Sequence, residues 1–234
     1  VFFLEAVFEE AGGGGSGVGD ASRCWNPEAF SPGTTIDTEY VVTDAFGGES
    51  TVSYSGMIEG GARFNGESGR ALVLDAESSG DIETVSVTRS YFQVPRAQRV
   101  RDLGTETELL APERATAVVT NTPFRLQRLD LSAGESYTQR YDSTVVTSTG
   151  GNEFVTGSEV ESTTTFDGIE TIEVRGRSYE TCRLTERTTT SLGPSVSSDV
   201  QREWIHVGSG QLIKAEDEAQ TTELVSARIN GDRI

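Results

Sequence analysis

Residues 83–89 read Glu83-Thr84-Val85-Ser86-Val87-Thr88-Arg89, and the reading of this run decides the fold. Apolar and polar side chains alternate with a period of two, so Val85 and Val87 share one face while Thr84, Ser86 and Thr88 share the other. β-Branched residues at that spacing suit a pleated strand with one face in water. The same texture spreads in both directions. Thr38-Glu39-Tyr40-Val41-Val42-Thr43 runs to Gly47-Gly48, Thr144-Val145-Val146-Thr147 to Gly150-Gly151, and Thr171-Ile172-Glu173-Val174 to Gly176. From Gly33 onward turn residues interrupt such runs roughly every 8–15 positions, and no helical period longer than about 10 residues stands out. The fold class is all-β.

An internal similarity sharpens this expectation. Ser31-Pro32-Gly33, Tyr40 and Gly47-Gly48 match Ser132-Ala133-Gly134, Tyr141 and Gly150-Gly151. Further on, Arg89-Ser90-Tyr91-Phe92-Gln93-Val94 matches Arg202-Glu203-Trp204-Ile205-His206-Val207. The expected architecture is an antiparallel sandwich or split barrel built from two similar halves, residues 23–115 and 116–234. Ahead of them lie an apolar arm, residues 1–10, and a glycine-rich linker, residues 11–22.

Composition narrows the function classes. Acids outnumber bases 37 to 19, and the formal net charge of −18 repels nucleic acid and anionic membranes. No stretch has the ~18–20 apolar residues of a membrane helix. Cys24 and Cys182 are too distant for a CxxC redox or zinc motif and read as one disulfide, with a buried thiol pair as the alternative. A disulfide implies an exported chain, extracellular, on the cell surface or in the periplasm.

Catalysis finds few parts. The lone histidine, His206, shares a face by parity with Trp204 and reads as structural or surface. Glu216-Asp217-Glu218, Glu9-Glu10 and Glu106 with Glu108 lie in polar stretches, where a solvated carboxylate keeps an ordinary pKa. No DxDxDG calcium loop occurs, and the glycines at 12–15 lack the ending of a phosphate loop. No catalytic residue, metal ligand or cofactor is assigned.

Several short motifs resemble a group of uncharacterised exported proteins of proteobacteria. They are Cys24-Trp25-Asn26-Pro27 with Gly33-Thr34-Thr35, Gly176-Arg177-Ser178-Tyr179-Glu180-Thr181-Cys182, and Trp204 with Gly208-Ser209-Gly210 and Lys214. The resemblance implies a cysteine pair joining the start of the body to its late strands. It also implies a half-barrel like that of periplasmic lipoprotein carriers, which hold acyl chains inside a concave sheet.

Two features point to partners. In an extended VFFLEAVFEE arm, Phe2, Leu4, Ala6 and Phe8 share one side; as a helix, Phe3, Leu4, Val7 and Phe8 form a stripe. Burying Phe2, Leu4 and Phe8 gains roughly 5–8 kcal/mol before ordering costs. Docked on its own body or in a neighbour's groove, the arm makes a donor strand. Arg96, Arg99 and Arg101 form a basic stripe, read as local salt bridging or as a contact for another copy's acidic surface. The favoured function is a non-enzymatic structural subunit that assembles with other copies through its arm, extending to a filament. The alternative is a periplasmic binding module for an apolar ligand or lipid.

Overall fold

The computed structural model describes residues 20–80 and 83–234. Two 3-10 turns, η1 (Ala21–Cys24) and η2 (Glu28–Phe30), lead into thirteen strands. These are β1 (Thr35–Asp44), β2 (Glu49–Phe64), β3 (Glu67–Ser79), β4 (Thr84–Arg96), β5 (Arg99–Ala111) and β6 (Ala115–Arg128). They continue as β7 (Ser136–Thr149), β8 (Asn152–Val174), β9 (Arg177–Leu192), β10 (Ser195–His206), β11 (Leu212–Glu216), β12 (Gln220–Ile229) and β13 (Asp232–Arg233).

Every strand pairs with its successor, and β1 also pairs with β12. That last ladder runs antiparallel from Ile36 opposite Ile229 to Asp44 opposite Gln220, with one bulge beside Tyr40. Twelve strands therefore close into an antiparallel barrel, with β13 appended to β12. The all-β reading holds, but the sandwich or split barrel gives way to a closed cylinder. Alternation reports one wet face per strand, which both architectures share; closure depends on a pairing between residues nearly 200 apart, which no local pattern encodes. The sheet runs unbroken from β5 into β6 across residue 115, where the repeat places its boundary.

One end of the cylinder is plugged by the segment before β1. Ala21, Cys24, Trp25, Ala29 and Phe30 are buried against inward-facing Ile58, Leu72, Phe92, Leu184 and Ile205. The plug is built locally. Asn26 Oδ1 accepts the N–H groups of Glu28 and Ala29 at 2.7 and 3.2 Å and so fixes the turn at Pro27 that leads into η2. Trp25 stacks on Phe30 at 4.9 Å, and Phe30 meets Phe92 edge-on at 5.5 Å. Arg70 donates to the Phe30 carbonyl, and the disulfide Cys24–Cys182 fastens the plug to β9. The last three residues of the span read as a tether, 20–22, belong to this plug: Ala21 N–H donates to Leu131 O at 2.9 Å.

A second apolar cluster lies on the outer face, where Phe64 stacks on Tyr91 at 4.8 Å above β5. Gly104 permits it, because a Cβ there would sit 2.4 Å from the Phe64 ring and the Val119 carbonyl.

The wall is uneven in two ways. The β7–β8 ladder reaches Asn152, but the β8–β9 ladder begins only at Glu159, so residues 152–158 overhang the β9–β10 hairpin. On the other side the β6–β7 ladder stops at Thr122 opposite Asp142. Beyond that point Gln139 bridges the two strands: its Nε2 donates to Leu126 O at 3.1 Å and its Oε1 accepts Leu126 N–H at 2.7 Å. A side-chain amide takes the place of a peptide group in the ladder. Tyr137 OH adds a bond to Leu126 O at 3.0 Å.

Outward positions such as Asp37, Glu39, Asp75, Glu77, Glu161 and Arg187 are charged, unlike the apolar band of a membrane barrel. No described helix is long and apolar enough to cross a membrane.

Two tests follow from this architecture. The disulfide closes a separation of 158 residues. Replacing both cysteines (Cys24→Ser with Cys182→Ser) should lower unfolding free energy by about 4–5 kcal/mol in urea titration, through the loop-closure entropy returned to the unfolded chain. Asp130 accepts from Arg99 at 2.5 Å and from Arg128 at 2.8 Å. Burial pushes its carboxyl up, but bonds from Arg128 and Arg99 outweigh that and hold it below the usual carboxylate range. Its stabilisation is full above the ordinary carboxylate pKa and is lost as pH falls through the depressed value. Asp130→Asn should therefore cost on the order of 1–2 kcal/mol at pH 7, allowing for partial exposure, and progressively less as pH falls below the ordinary carboxylate range.

Candidate functional site

The inward faces of β1, β2, β3, β10, β11 and β12 leave a cavity in the lumen at the end away from the plug. Tyr40, Val42, Val52, Leu212 and Ala215 give it mostly apolar walls, and its volume is about 440 Å³. That is the size range of small-molecule sites. Parity accounts for the lining. Val42 and Tyr40 continue the inward series of Ile36, while Gln201 and Glu203 continue that of Ile205.

Behind Tyr40 and Leu212 lies a polar group. Gln211 is buried in the β10–β11 turn, and its Nε2 donates to Tyr40 OH, which itself donates to Leu212 O at 3.3 Å. Gln211 Oε1 is buried and has no hydrogen-bond partner among the described residues. A buried acceptor left bare costs about 1–3 kcal/mol. Glu203 is also buried on this face and accepts from Gln201 Nε2. Further round the lumen, Arg125 pairs with Glu186 at 2.6 Å.

Burial drives both tyrosines of the cavity far above their ordinary pKa; for Tyr40 the bond from Gln211 opposes this only in part. They act as neutral hydrogen-bonding and aromatic groups, with their rings edge-on at 6.2 Å. With Gln201, Glu203 and Asp217 they give the lining its polar contacts beside its aromatic surface. Among the described residues no cluster of His, Cys, Asp and Glu could hold a metal ion.

His206 meets a hydroxyl, but not in a site. Its Nδ1 lies 2.7 Å from Ser209 Oγ, its ring stands edge-on to Tyr179 at 5.9 Å, and Ser209 Oγ also accepts Gln211 N–H at 3.3 Å. Ser209 is buried, and neither residue lines the lumen cavity. The pair clamps the turn that carries Gln211. Trp204, its neighbour on the strand face, donates from its indole to Glu170 at 2.7 Å.

The other sequence-derived residues are placed as follows. Cys24 and Cys182 are bonded. In the basic stripe, Arg99 grips Asp130, Arg101 lies 4.5 Å over the Phe124 ring, and Arg96 stands exposed opposite Arg99. The arm residues Phe2, Leu4, Ala6 and Phe8 lie outside the described residues. Tyr40, Gln201, Glu203 and Gln211 were not legible as a site. The one sequence signal was a polar residue, Gln211, set between Gly210 and the apolar pair Leu212-Ile213.

Neither a protein-family model nor a curated protein matches the chain. Among solved structures it is similar to the hypothetical lipoprotein YmcC from Escherichia coli (K12), at 13% identity over 84% of this chain and 88% of that one, with a TM-score of 0.39. A likeness this loose carries no argument about ligand or partner. The disulfide itself fits an exported protein in an oxidising compartment.

His206 supplies a pH test. Burial lowers its pKa, and the charge of Glu180 pulls the other way. Between that lowered value and the ordinary one near 6.5 the unfolded chain binds more protons, so stability falls as pH drops through this window. In thermal unfolding between pH 7.5 and 5.5, His206→Gln should show a smaller loss of Tm than the unaltered protein.

Proposed function

We propose that this protein is a non-enzymatic binding module of the cell envelope that holds one small apolar or amphipathic molecule in its lumen. The observation that carries the reading is the 440 Å³ cavity, mostly apolar along its walls, with Tyr40, Gln201 and Glu203 as polar groups in its lining and Tyr40 held from behind by Gln211. Apolar walls supply affinity through area removed from water, and a few convergent polar groups fix orientation. A barrel suits the task, because closing the sheet leaves a lumen whose shape is set by the wall and not by ligand contacts. The periplasmic face of the envelope is the compartment that fits best, since the disulfide needs oxidising surroundings and the charged outer face needs water.

The test uses an uncharged fluorescent probe, N-phenyl-1-naphthylamine, titrated into the full chain. Saturable one-to-one enhancement should appear in the unaltered protein and fall at least tenfold in affinity in Ala215→Phe, which fills the cavity. Gln211→Leu, which removes the acceptor, should bind the uncharged probe as well or better. Enhancement that fails to saturate, or that survives in a folded Ala215→Phe protein, would sink the reading.

A further inference from the structure

We propose that the overhanging edge of β8, residues 152–158, receives the N-terminal arm of a second copy as an added strand. Two independent features mark this edge. The first is its backbone. From Asn152 to Ser158 the strand pairs with β7 on one side, and among the described residues it has no ladder partner on the other. Unpaired N–H and C=O groups along seven residues form a template for an incoming strand.

The second feature is apolar exposure. Phe154 and Val155 on the edge are 59% and 63% exposed, and Leu192 and Val196, at the hairpin below it, are 48% and 66% exposed. These four are among the most exposed large apolar side chains described, and they flank one notch. The comparable overhang of β10, residues 195–201, offers only Val196 and Val200 among Ser, Asp and Gln. By parity Phe154 shares the lumen-facing side with Val160, and Leu192 shares it with Leu184.

The occupant is written in the chain itself. In an extended VFFLEAVFEE, Phe2, Leu4, Ala6 and Phe8 fall on one side with Glu10 at the end, while Val1, Phe3, Glu5, Val7 and Glu9 fall on the other. Added beside β8, the arm matches its first side to Phe154 and Leu192, and its second, mixed side to Val155. Ten residues suffice for the seven positions of the edge.

Reach decides between a molecule's own notch and a neighbour's. The chain meets the barrel at Asp20, bridged to Ser132 near the start of β7. The edge lies opposite Ser143–Thr149, some 7–13 residues along β7 from Ser136, or about 23–43 Å at strand rise. Residues 11–19 treated as a coil span about 16 Å. The near end of its own edge is accessible only to a stretched linker, whereas a neighbouring copy is free to present the whole notch. Each copy both gives and receives, so the contact either closes as a dimer by reciprocal exchange of arms or runs on head-to-tail.

The test compares the full chain, a Δ1–10 variant and the edge variant Phe154→Lys in light scattering across concentration. It adds a labelled VFFLEAVFEE peptide titrated into the Δ1–10 protein. The expected results are concentration-dependent assembly of the full chain, a monomeric Δ1–10 protein that binds the peptide one to one, and at least tenfold weaker peptide binding when Phe154→Lys is added. Circular dichroism should show an intact β fold in every variant. Assembly that persists in Δ1–10, showing that edges pair with each other, would overturn the proposal. So would a monomeric full chain, or peptide binding indifferent to Phe154→Lys. Probe binding in the lumen is independent of all three outcomes.

Discussion

The ladder between β1 and β12 is the constraint on which the rest of the molecule depends. Nine residue pairs from Ile36–Ile229 to Asp44–Gln220 turn a linear meander into a cylinder and remove the two longest edges the sheet would expose. They also create an inside. Without closure, Val42, Val52 and Leu212 would line an open concave sheet in water; with it, they wall a cavity. The contact is also the most distant in sequence, so it is costly in loop entropy and is reached late by a chain that otherwise forms neighbour-to-neighbour hairpins. The disulfide at Cys24 and Cys182 acts on the same entropy from the plugged end.

Inside that cylinder, packing and polarity divide along the axis. At one end aromatic stacking of Trp25, Phe30 and Phe92 fills the lumen with a segment that belongs to no strand. At the other the inward positions shrink to Val, Ser and Thr, and space remains. Between them lie Glu203, Arg125 and Glu186, whose charges are tolerable in a half-dry interior because they find partners there. The site is thus a consequence of where large side chains run out.

How far the residues announce this structure depends on the range of the interaction. The run 83–89 and its counterparts gave up their strands because alternation is local, and all four quoted runs, Glu83 apart, lie within strands. The resemblance carried by Cys24-Trp25-Asn26-Pro27 implied a cysteine pair between the start of the body and its late strands, and Cys24–Cys182 is that bond; the bonds of Asn26 Oδ1 to Glu28 and Ala29 were not legible beforehand. The cylinder stayed hidden because nothing near Ile36 names Ile229. The cavity stayed hidden for a related reason: Tyr40 and Gln211 stand 171 residues apart, and each alone looks like an ordinary strand tyrosine or turn glutamine. A buried amide oxygen without a partner becomes visible only once the neighbours are in place.

Gln139 gives the cylinder an asymmetry of its own. Along most of the wall, adjoining strands are joined by peptide groups whose planes cannot rotate. At the breach between β6 and β7 the junction is a glutamine side chain, supported by one phenol. Continuity of the wall at that joint therefore rests on a side chain, and its position is set by one residue whose amide imitates the main chain.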